Sequence, residues 1–301
     1  MSPARFITLV TTCSALVANV LLNAPVGAQT PQIPASSPAP AGAPSKVDPP
    51  SDSCGGDARL LATLNRPTVG YSPCAIPSGS LVLEEGYQNQ TQGGANASAA
   101  VSAPVGFERI GLADRFELDV IGPNENRLRA GSTLATGASD LGLGFKAQLP
   151  QRGRFTYGID GLVTAATGTG GFSAGGPTET VNFDAAYAAS PAIGFGATLA
   201  TSSSAGFRTL PDGTNHGERF GYLLPSVVVT AQIPNFYQFY LEIVEQTKLG
   251  PDQGGRAFTD FGVQKLVGRN VEFDVEYAQA FTPVGGARFH YFGFGTGLRL
   301  R

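Results

Sequence analysis

The sequence predicts an all-β protein: an antiparallel up-and-down transmembrane β-barrel of about twelve strands, preceded by a short N-terminal periplasmic segment. Three observations predict this fold. The N-terminus has the layout of an export signal, side chains alternate between apolar and polar from residue 79 onward, and short connections alternate with long ones. With 40 glycines, no tryptophan and only 14% charged residues, the composition is unlike that of a water-soluble helical enzyme.

Residues 1–28 have the pattern of a secretory signal peptide. Arg5 precedes an apolar run from Ile7 to Leu22, and the small residues Val26, Gly27 and Ala28 form a cleavage pattern. The alternative is a membrane anchor, but residues 11–14 interrupt the run, which leaves it short of the roughly 20 apolar residues that a membrane helix needs. We therefore expect export and cleavage.

The next two segments are expected to be a tether and a small cap. Residues 29–53 are rich in Pro, Ala and Ser, a composition that cannot bury enough apolar surface to order the chain. Residues 54–78 contain Cys54 and Cys74 and a short amphipathic helix over 57–66, and are expected to cap or plug the barrel. After export the two cysteines would meet an oxidising compartment, which favours a disulfide over two free thiols.

The barrel is predicted over residues 79–301, where the side-chain period is two. In residues 139–149, for example, Leu141, Leu143 and Phe145 alternate with polar residues or glycine. A soluble β-sandwich also alternates. However, most segments here are roughly ten to fourteen residues long, which suits a tilted membrane strand better than a soluble strand of about five or six residues.

The connections also favour a membrane barrel, because such barrels alternate tight periplasmic turns with longer external loops. Tight turns are predicted at 112–114, 150–153, 190–191, 234–235 and 268–270, and long loops at 123–137, 168–179, 203–218, 248–255 and 282–286. An even strand number would place both termini in the periplasm. Backbone amides in hydrocarbon must all find partners, so the sheet has to close on itself.

Some strand residues carry further expectations. Residues 222–233 are apolar on both faces, and Pro104 and Pro225 interrupt hydrogen-bond ladders, which predicts bulges or plug contacts there. Tyrosines near strand ends are expected to form an interfacial girdle, as aromatic residues do at membrane surfaces. They are Tyr87, Tyr157, Tyr222, Tyr237, Tyr277 and Tyr291.

The polar face of the strands is expected to line the lumen and is rich in carboxylates. An acid-rich wall would attract cations and repel anions. The alternative is a network of these carboxylates with basic residues and water, which would fill and stiffen the barrel. The expected lumen-lining residues are Glu84, Glu108, Glu117, Asp119, Asp140, Lys146, Arg154, Asp160, Asp184, Glu242, Asp260, Glu272, Asp274, Glu276 and Arg299.

Three segments carry a family resemblance: Gly-Leu-Ala-Asp-Arg-Phe-Glu-Leu-Asp-Val at 111–120, Ser-Asp-Leu-Gly-Leu-Gly-Phe-Lys at 139–146, and 281–297, which ends Phe-Gly-Phe-Gly-Thr-Gly. They resemble the outer-membrane family named for the meta-pathway of phenol degradation, the MetA-like transporters, over about residues 79–301. The resemblance implies a β-barrel that serves uptake of small, often aromatic, compounds and has no catalytic residues.

The function expected from these features is a channel or transporter in the bacterial outer membrane for passive uptake of small solutes, including aromatic or hydrophobic compounds. Its expected partners are outer-membrane lipid, the solute and the barrel assembly machinery. The formal charge of −3 gives no basic field for nucleic acid, and no cofactor or metal site is predicted.

Two alternatives belong to other functional classes. One is a structural or adhesive surface barrel with a filled lumen. The other is an outer-membrane lipid-modifying enzyme, for which His216 and His290 are the candidate bases, although neither has a recognisable serine partner in the sequence.

Overall fold

The computed structural model describes residues 54–55, 59–94, 97–210, 212–234, 236–283 and 288–300. The predicted signal peptide, residues 1–28, and the predicted linker, residues 29–53, lie outside the described residues.

The described chain consists of one short helix followed by antiparallel strands. They are α1 (Arg59–Thr63), β1 (Leu81–Gln92), β2 (Ser98–Ala103), β3 (Phe107–Ala113), β4 (Phe116–Ile121), β5 (Glu125–Ala130), β6 (Thr133–Ala138), β7 (Leu141–Gln148), β8 (Phe155–Ala165), β9 (Thr178–Ala188), β10 (Ile193–Thr209), β11 (Asn215–Ile233), β12 (Tyr237–Gln246), β13 (Arg256–Val267), β14 (Val271–Ala280) and β15 (Phe289–Arg299). Breaks separate β2 from β3, β4 from β5 and β6 from β7, so the strands make a closed barrel of twelve passes. No described helix is long and apolar enough to cross a membrane.

The barrel closes where the first strand pairs with the last. β1 pairs with β15 along its length, from Val82 opposite Arg299 to Gln92 opposite Phe289. On its other edge β1 pairs first with β3 and then with β2. The change of partner falls at Pro104, which has no N–H to donate to a ladder. The prediction that Pro104 interrupts its ladder is therefore confirmed.

The two ends of the barrel differ as the sequence predicts. One end, here called the turn end, carries the start of β1, the end of β15 and the short connections after β3, β7, β9, β11 and β13. The other, here called the loop end, carries the longer connections, including that between β8 and β9.

Two predicted loops turn out to be strand extensions at the loop end. Residues 123–137 contain β5 and most of β6, and residues 203–218 complete β10 and begin β11, which are 17 and 19 residues long. The expectation of irregular loops was wrong because alternation is required only where one face meets lipid. Beyond that band, strands can pair with polar residues on both faces.

The exterior of the wall is apolar and the interior polar. Phe145 and Phe261, for example, are each 46% exposed on the outer face, whereas Lys146 and Asp260 beside them in sequence are buried inside. A soluble monomer rarely exposes so large a continuous surface of apolar side chains. The arrangement is that of a barrel that spans lipid.

The structure corrects the predicted position of two of the six girdle tyrosines. Tyr87 stacks on the exposed Phe294, and Tyr237 is itself exposed, as a girdle requires. Tyr157 and Tyr277 follow the outward phase of their strands. Tyr222 and Tyr291 face the lumen instead, because the exposed Leu223 and Phe292 fix the opposite phase.

A charge placed on the outer face should destabilise the barrel according to its depth. We expect Phe145→Arg, near the middle of the apolar band, to cost roughly 2–4 kcal/mol, and Leu149→Arg, at the turn end, roughly 0–1 kcal/mol. Denaturant unfolding in lipid vesicles measures both. Equal costs at the two positions would contradict the assignment of this face to lipid.

Candidate functional site

The lumen is occupied by the chain's own N-terminal segment, the described residues of 54–76, here called the plug. The predicted disulfide between Cys54 and Cys74 is present, with a Cα–Cα distance of 5.5 Å. Of the helix predicted over 57–66, residues 57 and 58 lie outside the described residues; the described part, α1, ends at Thr63, and its leucines pack into the wall. This buried cluster consists of Leu60, Leu61, Leu64, Ile76, Val82 and Leu266.

Three buried wall carboxylates hold the plug by its backbone. Each accepts hydrogen bonds from main-chain N–H groups of the plug, and bonds to a charged acceptor are the stronger kind. The contacts are Glu84 Oε2 from Asn65 N (2.9 Å) and Arg66 N (2.8 Å), Glu242 from Val69 N (2.7 Å) and Gly70 N (2.8 Å), and Glu117 Oε2 from Ile76 N (2.7 Å).

Arg109 on β3 is the main cation of the wall and is fully buried. Its guanidinium lies 2.7 Å from Glu84 Oε1 and 2.6 Å from Glu117 Oε1, and it also donates to the backbone carbonyls of Thr63 and Cys74. A buried arginine needs this many partners, because an uncompensated charge in the interior is strongly destabilising. Arg109 thus joins two wall carboxylates to the end of α1 and to the disulfide-bonded Cys74 of the plug.

Two further cations complete the contacts between plug and wall. Lys146 Nζ donates to Asn65 Oδ1 and to the carbonyl of Ser72, each at 2.8 Å. From the plug, Arg66 lies 3.4 Å from both Asp274 and Glu276. Its guanidinium also donates to the carbonyl of Val105, so the predicted plug contact next to Pro104 is present.

Most of the predicted lumen residues lie on the inner face and are buried: Glu84, Glu117, Asp119, Lys146, Asp160, Asp184, Glu242, Asp260, Glu272, Asp274 and Glu276. Among the described residues, these ten carboxylates share the buried interior with three basic side chains, Arg66, Arg109 and Lys146. Several of these carboxylates pair with the three basic side chains, as the alternative interpretation of the sequence requires in part, and Arg66 supplies its pairs from the plug. No described group of His, Cys, Asp and Glu side chains is arranged to hold a metal ion.

The assignment of Glu108 to the lumen was wrong, and the neighbouring Arg109 takes that place. The exposed Ile110 and Leu112 mark the outward phase of β3, and Glu108 shares it. The alternation of Ile110 and Leu112 is visible in the sequence and would have predicted that Arg109, on the opposite face of the strand, lines the lumen. Arg66 was missed for a different reason: it lies in the plug, where no periodicity indicates which way a side chain faces.

Three other predicted lumen residues lie at the ends of the barrel. Arg154 and Arg299 are at the turn end, where they donate to the carbonyl of Ala189 and to Asn270 Oδ1. Asp140 is at the loop end and accepts from the N–H groups of Ala174 and Gly168. Partial burial acts to raise the pKa of Asp140, but these hydrogen bonds outweigh it and the pKa is lowered.

Two cavities flank the plug along one side of the lumen. The turn-side cavity has a volume of about 680 Å³ and reaches the inner faces of β9, β10 and β11. The loop-side cavity has a volume of about 170 Å³ and lies against the same three strands, further toward the loop end. The inner residues along this side are small, such as Ala186, Gly194, Gly196 and Ala200, whereas the carboxylates that hold the plug lie on other strands.

The two cavities meet at residues 69–71 of the plug, here called the strap. Gly70 and Tyr71, together with Thr198 and Ser226 of the wall, border both cavities. Tyr71 N donates to Thr198 Oγ1 at 3.1 Å. A Cβ at Gly70 would clash with Ser226 Oγ and lie 2.9 Å from Thr198 Oγ1, so only glycine allows the strap to approach the wall this closely.

Residues 222–233 also confirm the expected plug contact. Leu224, on the inner face of β11, packs with Val69 of the strap against a buried lumenal cluster. This cluster consists of Val244, Phe258, Ala278, Ala280, Phe289 and Tyr291. Pro225 lies next to Ser226, where the pairing of β11 with β12 begins.

Neither histidine proposed as a catalytic base has a serine partner in the described part of the chain. His290 Nε2 lies 2.6 Å from Thr91 Oγ1 on the exposed outer face. His216 is exposed in β11.

Comparison with solved structures identifies barrels of the same kind. The translocator domain of the autotransporter NalP from Neisseria meningitidis superposes with a TM-score of 0.50 at 9% identity, covering 73% of this chain and 88% of that one. The NanC porin gives 0.49 at 10% identity, over 71% and 98%. The CymD monoaromatic hydrocarbon channel gives 0.40 at 7% identity, over 74% and 88%. At these identities the likeness concerns the fold alone.

No protein-family model and no curated protein matches the sequence.

Removing the Arg109 guanidinium should leave two buried carboxylates without their main cation. We expect Arg109→Met to destabilise the protein by about 3–5 kcal/mol, the usual effect of breaking a buried ion pair. Arg109→Lys should fall between Met and wild type, because it keeps the charge but loses the fork geometry. Chemical unfolding measures the effect. Arg154→Met, at the exposed turn end, is the control, and an equal loss there would contradict the role given to Arg109.

Proposed function

We propose that this protein is an outer-membrane channel for passive uptake of small solutes, in which the plug restricts passage. The observation that carries this proposal is the pair of cavities that lie in line along β9, β10 and β11. A lumen that served only to stiffen the barrel would have no reason to keep space on both sides of the plug along one wall.

The strap is the point of restriction in this proposal. It closes the line between the cavities and is held to the wall by its backbone at Glu242 and Thr198. Val69 also packs on the lumenal cluster, and the ring of Tyr71 contacts Phe107 and Lys146. The rest of the plug is fixed by Arg109, Lys146 and the disulfide. A displacement of the strap would therefore join the cavities while the remainder of the plug stays docked.

The apolar outer face supports outer-membrane lipid as the surroundings of the barrel. In the proposed organisation, residues 1–28 are a signal peptide, 29–53 a linker, 54–78 the cap or plug and 79–301 the barrel. Both termini face the periplasm, and insertion uses the barrel assembly machinery.

We further propose membership of the MetA-like family, since two of the resembling segments, 111–120 and 139–146, lie in adjoining wall strands. We also propose that aromatic or hydrophobic compounds are among the solutes.

A structural or adhesive surface barrel is the second candidate function. The specific observation in its favour is the plug itself, which is hydrogen-bonded to opposite sides of the lumen through Glu117 and Glu242. Conductance separates the two candidates.

Loosening the strap should open the channel. We expect Glu242→Ala to raise single-channel conductance in planar bilayers several-fold over wild type, because the N–H groups of Val69 and Gly70 lose their acceptor. Glu245→Ala removes a carboxylate from the same strand on its other face and should leave conductance unchanged. If Glu242→Ala inserts and stays closed, the protein is a filled barrel and the channel proposal fails.

The open channel should prefer cations, because buried carboxylates outnumber buried basic groups. In the Glu242→Ala background, the reversal potential in a potassium chloride gradient should show this preference, and adding Asp160→Asn with Asp184→Asn should reduce it. Glu108→Gln, which neutralises an outward-facing carboxylate, is the control. Anion preference in Glu242→Ala, or an equal loss of cation preference in the Glu108→Gln control, would contradict the proposal that the buried carboxylates select cations.

A further inference from the structure

We infer that the loop-side cavity is a binding site for one uncharged solute of about single-ring size that carries a hydroxyl group. This inference deepens the proposed channel function by naming the class of solute and the place where it pauses.

The size of the cavity sets the size of the solute. Its volume is about 170 Å³. An apolar protein cavity of about 150 Å³ is known to accommodate benzene. The loop-side cavity therefore fits one six-membered ring with a small substituent and leaves little room for a fused second ring.

One part of the lining is apolar and suits the body of such a solute. Leu162 of β8 and Leu224 of β11 contribute aliphatic groups, and Val69 does so from the strap. The rings of Tyr71 and Tyr222 also line the cavity. Aromatic and aliphatic walls with a few polar groups are the usual composition of small-molecule sites.

The remaining lining offers hydroxyl groups. Thr180 and Ser202 face each other across β9 and β10 with their oxygens 2.8 Å apart, and either can be the donor. Because each hydroxyl has one hydrogen and two lone pairs, this pair keeps the capacity to bind a third hydroxyl. Thr198, Ser226 and Asn182 add further polar groups to the lining. A solute hydroxyl can therefore be satisfied here, whereas a fully apolar solute would leave these groups without water.

The charges behind the lining exclude anions. Asp160 accepts from Asn182 Nδ2 at 2.8 Å, and Asp184 accepts from Thr198 Oγ1 at 2.6 Å, so two carboxyls lie directly behind lining residues. A carboxylate solute would be repelled by the negative charge of this pair. A cation would be attracted as it passes, but it would find no carboxyl ligand in the cavity, since neither carboxyl is among the lining residues, and it would therefore not be held there. The cavity thus favours a neutral solute.

The floor of the cavity is the strap. Val69, Gly70 and Tyr71 all border it, so a bound solute touches the segment that closes the path to the turn-side cavity. The site therefore lies immediately before the restriction, where a solute from the loop end would stop.

Isothermal titration calorimetry of the purified, detergent-solubilised full-length protein tests this site. The probes are phenol, fluorobenzene, benzoate and 2-naphthol, which vary the hydroxyl group, the charge and the size in turn. We expect saturable one-to-one binding of phenol and binding of each other probe at least about tenfold weaker, the difference that one lost polar interaction or one repulsion can produce. Ser202→Leu should abolish phenol binding by filling the cavity. Thr201→Leu, the adjacent outward-facing position, should bind as wild type.

Several results would overturn the inference. Equal phenol signals from Ser202→Leu and wild type would mean adsorption to detergent, and equal affinity for benzoate would refute the argument from charge. If Ser202→Leu fails to fold, Leu162→Ala serves instead: it enlarges the cavity and should improve the affinity for 2-naphthol relative to phenol, and no such change would refute the site. Binding without conductance in Glu242→Ala would end the channel proposal alone, and conductance without saturable binding would end the site alone.

Discussion

Closure of the sheet is the constraint on which the rest of this structure depends. In hydrocarbon every strand edge must be paired, and the pairing of β1 with β15 removes the last free edge. Closure also seals the inner face from lipid, so the polar side chains required by alternation must be satisfied inside a narrow space. The plug meets that need. Its backbone N–H groups donate to Glu84, Glu117 and Glu242, and its carbonyls at Thr63 and Cys74 accept hydrogen bonds from Arg109. Wall and plug are therefore two parts of one hydrogen-bonded interior.

Periodicity predicted what depends on neighbouring residues. The alternation around Phe145 located strands, lipid face and turns, because one side of each strand must be apolar wherever it meets the membrane. It did not predict the extensions of β10 and β11, which lie where that requirement ends. Glu108 was assigned to the lumen because it is charged, although it shares the outward phase of Ile110 two residues later.

The contacts that define the site lie beyond such reasoning for a physical reason. Val69 N and Glu242 are 173 residues apart in the chain, and Arg66 and Asp274 are 208 residues apart. Their meeting depends on barrel diameter and on the path of an irregular segment, neither of which leaves a periodic trace. The sequence could predict that carboxylates face inward and that a cysteine-bounded segment lies near them. Which carboxylate holds which amide, and where space remains, follow only from the folded arrangement.

The covalent link between the plug and β1 bears on how the molecule is made. The plug leads directly into the strand whose edge forms the final seam, and that strand supplies Glu84 as one of its supports. Glu84 accepts two N–H groups of the plug and lies opposite Gly297 in the seam, so docking of the plug and closing of the wall share one residue. A substitution that shifts the seam strand therefore also shifts the support of the segment inside the barrel.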